Sequence, residues 1–111
     1  MDRLDQQREA IHSVLQAHLQ IAERNRDRTP IETFALTNAA TDDYFLLATD
    51  YKAGQRVYGV LVHLRLHDGK IVVEQNNVED FIEDLIDLGV PEDELVTGSE
   101  PGDRAPRQIS V

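Results

Sequence analysis

The residues equipped for chemistry are four histidines, a dense set of carboxylates and very few nucleophiles. His63 and His67 fall four residues apart in a run whose alternation reads as a strand. Their Cα atoms would stand ~13 Å apart on one face, too far to share an ion. A third ligand would have to come from Glu74 in the next predicted strand. His12 and His18, six apart on a predicted helix, point to different faces. These spacings imply no metal site, and no cofactor is expected. Serine occurs only at Ser13, Ser99 and Ser110, and there is no cysteine. No nucleophile elbow surrounds any of these serines. Asp42-Asp43, and Asp80 with Asp84, have the spacing for acid–base work. Their polar surroundings give no reason for a functional pKa. Gly54, Gly59 and Gly69 are isolated and build no phosphate cradle. The chain reads as a non-enzyme.

The elements that must position these residues follow from periodicity. Leu4, Ile11, Val14, Leu15, His18, Leu19 and Ala22 recur at three- and four-residue steps, which predicts a helix over 3–24 with Asp2 as N-cap. Pro30 stops it. Four strands follow: 31–36, 44–51, 57–67 and 70–75. They are joined by Asn/Asp turn chemistry at 38–43, a Gly turn at 52–55 and the favoured Asp68-Gly69 hairpin. On the longest strand Tyr58, Val60, Val62, Leu64 and Leu66 share one face, and Leu61, His63, Arg65 and His67 the other. Short links between the strands imply an antiparallel meander. Asn77 is expected to cap a second helix, with Val78, Phe81, Ile82, Leu85, Ile86 and Leu88 as its apolar stripe. Gly89 is expected to stop it, and Pro91 to open a further turn. The expected fold is two-layer α+β: a four-stranded antiparallel sheet covered by an N-terminal and a C-terminal helix. Residues 1–96 form one domain and 97–111 a mobile tail. The half-apolar outer face, Leu61 with His63, Arg65 and His67, is the expected site of homo-oligomer formation.

Charge narrows the partners. The 111 residues carry 21 acids against 11 bases, a net charge of −10. Anionic membranes and nucleic acid are disfavoured, because both require cations facing phosphate. No apolar run approaches the ~20 residues that span a bilayer. The opening MDRLDQQREA lacks a signal-peptide pattern, so a cytoplasmic location is expected. Residues 74–103 hold eleven acids and no Lys or Arg. Glu79, Asp80, Glu83, Asp84, Asp87, Glu92, Asp93 and Glu94 therefore form either a solvated face or a docking surface for a basic partner. Direct DNA contact would have to use Arg24, Arg26, Arg28, Lys52, Arg56 and Arg65 against this balance.

The run Arg56–Ile71, RVYGVLVHLRLHDGKI, resembles the central hairpin of the XisI family. Leu88–Val96, LGVPEDELV, resembles that family's helix-exit segment, and Met1–Leu4 and Ile31–Thr33 also fit. The similarity runs in the same order over roughly residues 1–98. Tyr51 stands where the family commonly has Trp, and Thr97–Arg104 departs from the family's tail. The resemblance implies a cyanobacterial controlling factor for excision of the fdxN DNA element. It further implies an accessory to site-specific recombination, with a nuclease-like companion, XisH. No catalytic residue is implied.

Overall fold

A computed structural model of the protein describes residues 2–98. Helix α1 spans Arg3–Arg24. Asp2 is extended, and its Oδ1 accepts the Asp5 amide at 2.9 Å, so one of the helix's free N–H groups is satisfied. The apolar stripe buries Ala10, Ile11, Val14 and Leu15. After a 3₁₀ turn at Arg26–Arg28, Pro30 leads into the sheet.

Strands β1 (Glu32–Asn38), β2 (Asp43–Lys52), β3 (Gln55–His67) and β4 (Lys70–Asn76) pair antiparallel in chain order, as the turn chemistry predicts. The hairpin turns place Ala53-Gly54 and Asp68-Gly69 at positive φ, which matches the right-handed twist of the flanking strands. The sheet is larger than expected and mixed. A fifth strand, β5 (Leu95–Thr97), adds parallel to β4. Parallel pairing needs a crossover, here made by residues 77–94, so no local turn announces it.

A second correction concerns which residues face the helices. The β2–β3 register slips between Leu46 and Leu47, so that Leu46 faces Val62 but Leu47 faces Val60. Leu61 is the unmatched residue, a bulge, and it packs against the core. The strand's phase inverts there. Val62, Leu64 and Leu66 point inward as expected. Val60 and Tyr58 pair with Leu47 and Thr49 and so join Phe45 and His63 on the outer face. Tyr58 is 66% exposed as a result. A second slip, between His63 and Leu64, leaves Glu74 unmatched on β4.

Helix α2 is shorter than its apolar stripe predicts, Phe81–Asp87 rather than starting after Asn77. Asn76 Oδ1 accepts the Val78 amide at 3.0 Å, and the Asn77 amide donates to the Leu61 carbonyl at 2.7 Å. These bonds commit the segment to a turn before a helix can start. The exit behaves as expected. Gly89 sits at φ +104, its amide donates to the Ile86 carbonyl, and the Val90 amide donates to the Leu85 carbonyl. A 3₁₀ turn at Glu92–Glu94 then delivers the chain to β5.

Both helices lie on the inner face. Ile11, Val14 and Leu15 from α1 and Phe81 and Leu85 from α2 share one core with Tyr44, Leu46, Val62, Leu64 and Ile71. Each such side chain contributes ~1.5–3 kcal/mol on burial. Thr97 belongs to β5 and Gly98 is buried, so these first two residues of the expected tail are part of the fold. The tail's remainder lies outside the described residues.

Candidate functional site

Two groups of carboxylates stand out against isolated acids such as Glu9 and Asp27, which are exposed and form no ion pair among the described residues. In the first, each has a cation in contact. Glu94 was expected on the docking surface but is 8% exposed. Arg3 Nε lies 3.1 Å from its Oε2, and Gln7 Nε2 donates to its Oε1 at 3.0 Å. Buried Gln7 also donates to the Gly69 carbonyl, which pins α1 to the β3–β4 hairpin. Arg8 grips Asp42 through both carboxylate oxygens, at 3.0 and 3.1 Å, and the Tyr44 hydroxyl donates to Asp42 at 2.8 Å. The Arg8 hydrogen bonds hold the Asp42 carboxyl below its ordinary range. Burial raises the Tyr44 phenol, with the hydrogen bond to Asp42 adding to it. On the outer face Asp43 lies 2.8 Å from His63 Nε2 and 3.2 Å from Arg65 Nε, and Arg65 Nη1 lies 3.7 Å from Glu74. Burial pushes the Asp43 carboxyl up, but hydrogen bonds from His63 and Thr41 and the charges of His63 and Arg65 outweigh it.

The second group has no such partners. Glu79, Asp80, Glu83, Asp87, Glu92 and Asp93 are all exposed. Among the described residues, no Lys, Arg or His side chain forms an ion pair with any of them. Lys70 lies beside them, but its Nζ donates to the Asp93 backbone carbonyl at 2.7 Å. The Glu83 carboxyl is pushed up, first by its hydrogen bond to Asp80 and then by the charges of Asp80, Asp87 and Asp84. Such a shift is the signature of concentrated negative charge. Asp84 stands between the groups, 3.2 Å from His18 Nε2. His18, part of the α1 stripe, stacks on Phe81 with ring centroids 5.1 Å apart and joins α1 to α2.

The other expected sites are redistributed. Leu61 leaves the self-association face through the bulge. His63 and Arg65 are engaged in the ion cluster, with His63 stacked on Phe45 at 4.0 Å between centroids. Exposed His67 lies at the hairpin beside Asp68. In place of Leu61, the outer face carries Phe34, Leu36, Phe45, Leu47, Tyr58 and Val60, a set visible only once the bulge is known. Lys52, Arg56 and the 3₁₀ turn bearing Arg26 and Arg28 come to the sheet end where β1 begins. Two of these cations are already held. Arg26 pairs with Glu23 at 3.0 Å, and Arg56 donates to Tyr51 and Glu32 and lies 4.8 Å over the Tyr51 ring. Among the described residues, no cluster of three or more His, Asp or Glu is placed to hold a metal ion. No helix there is long and apolar enough to cross a membrane.

Fold and surface together define a small two-layer α+β protein whose distinctive feature is a rim of unpaired carboxylates beside a mixed sheet. The chain belongs to the XisI family, whose description, XisI protein, matches residues 1–109. Two solved structures from Anabaena variabilis ATCC 29413 share the fold. The fdxN element excision controlling factor XisI is 17% identical, with a TM-score of 0.72, over 94% of this chain and 99% of that one. A XisI-like protein is 19% identical, with a TM-score of 0.68, over 93% of this chain and 92% of that one. No curated protein matches the sequence.

Proposed function

We propose that the protein is a cytoplasmic, non-enzymatic accessory factor in DNA element excision. In this reading it docks its acidic rim on a basic, DNA-handling partner, the nuclease-like XisH companion that the family resemblance implies. The observation that carries the reading is that six exposed carboxylates concentrated around α2 and the following turn have no cation in contact, whereas Asp42, Asp43 and Glu94 are each held by an arginine. Unpaired, closely spaced carboxylates present the charge density of a phosphate backbone to a groove that binds one. A pull-down with a purified XisH-like protein tests it. Capture at low salt and release at high salt are expected. Capture that ignores salt refutes the electrostatic mechanism, and no capture at either salt refutes the partnership.

A second reading, direct DNA contact through Arg24, Arg26, Arg28, Lys52 and Arg56, draws support from the position of the last four at one end of the sheet. The engagement of Arg26 with Glu23 and of Arg56 with Glu32 argues against it. A specific gel shift by the protein alone at moderate salt would promote it.

A further inference from the structure

The two edges of the sheet are built differently. β5 is only three residues long and is preceded by the acidic turn Glu92–Glu94, so that edge is short and flanked by charge. β1 is seven residues, Glu-Thr-Phe-Ala-Leu-Thr-Asn, paired with β2 in unbroken register. It has no Lys, no Pro and no bulge, and its single charge is at its first residue. Natural sheets guard exposed edges with these very devices. Among the described residues, no backbone hydrogen bond reaches β1 from any element but β2. Ile31, just before the strand, and Leu36 within it are 44% and 53% exposed.

We propose that β1 is a self-association edge: two copies pair their β1 strands antiparallel about Ala35, joining two five-stranded sheets into one of ten. The strand complements itself in that register. Glu32 meets Asn38 of the second copy, so no like charges face each other. Thr33 meets Thr37, and Phe34 meets Leu36, extending the apolar row of the outer face across the join. The alternation of faces is preserved, because every matched pair shares a parity. Net charge does not oppose the pairing. The acidic rim lies at the other edge, so the two rims stand ~43 Å apart across nine strand spacings, several Debye lengths at physiological salt. The proposal stands apart from the docking reading and leaves both rims free.

Sedimentation velocity of the full chain, with no partner present, tests it up to about 100 µM, where a micromolar dimer is populated. A concentration-dependent dimer is expected. Thr37→Lys, at an exposed position near the strand's end, should raise its dissociation constant at least about tenfold by placing a cation in the join, with the circular dichroism unchanged. Because the chain has no cysteine, mild oxidation reads the register directly. Thr33→Cys and Thr37→Cys proteins should cross-link to each other and neither to itself, since facing Cβ atoms lie ~4.5–5.5 Å apart. A monomer throughout overturns the proposal. So does a dimer that ignores Thr37→Lys and cross-links instead through Tyr58→Cys on the outer face.

Discussion

Asp42 closes the β1–β2 turn and Glu83 lies in the first turn of α2, and the fold treats these two carboxylates in opposite ways. Asp42 is clasped by Arg8 and Tyr44, and its carboxyl is pulled below the ordinary value of 3.8. Glu83 faces Asp80, Asp84 and Asp87, and its carboxyl is pushed above 4.5. The difference separates a carboxylate that holds two elements together from one crowded by other carboxylates. Asp42 ties α1 to the β1–β2 turn, and Glu94 ties it to the chain entering β5. The rim acids tie nothing. Exposed charge that contacts no cation within the fold is available for use outside it.

The largest expected effect removes the platform beneath the rim. Phe81 is fully buried, anchors α2 and stacks on His18. Phe81→Ala should cost ~3–5 kcal/mol in denaturant unfolding, by cavity formation in the core that α2 shares with α1 and the sheet. Next comes Glu94→Ala, which strips the partner from Arg3 and from buried Gln7. A loss of ~1–3 kcal/mol is expected. If Glu94 instead proved neutral, it would belong with the rim.

A smaller effect probes the β2–β3 hairpin as a neutral reference. Ala53 holds φ +52, where a methyl-bearing residue is strained. Ala53→Gly should raise stability by up to ~1 kcal/mol in thermal melts, without touching either set of acids. The smallest effects are in pH dependence, and their signs differ. The folded carboxyl of Asp42 is lowered, so its contribution is present above about 3.8 and is lost as pH falls through the lowered value. The folded carboxyl of Glu83 is raised, so its contribution is present below 4.5 and is lost as pH rises through the raised value. Melting temperature against pH should therefore lose part of its acid limb in Asp42→Asn. In Glu83→Gln it should lose part of its decline above 4.5. Two variants with the same profile would erase the distinction.

Much of this was legible in the residues. The stripe of α1, its Asp2 cap, the Asp68-Gly69 hairpin and the Gly89 exit are local signals, and the structure honours them. The features that escaped are non-local. β5 exists because three residues find β4 after a crossover, and Val96 carries no mark of its parallel partner. The bulge at Leu61 depends on the register with β2, so alternation along β3 alone assigns Tyr58 and Val60 to the wrong face. The acidic stretch was visible in composition, but its division was not. Glu94 and Asp93 are adjacent in sequence, yet one is buried against Gln7 and the other is exposed.

The most direct test of the central claim is the salt dependence of binding to the XisH-like companion, measured for the wild-type chain and for Glu83→Gln/Asp87→Asn/Glu92→Gln. These substitutions lie on exposed positions and should change stability by no more than ~0.5 kcal/mol. The account predicts a steep fall in wild-type affinity with salt and a weaker, flatter dependence in the triple variant. Equal affinities and equal slopes would contradict it and return the rim to the role of a solvated surface.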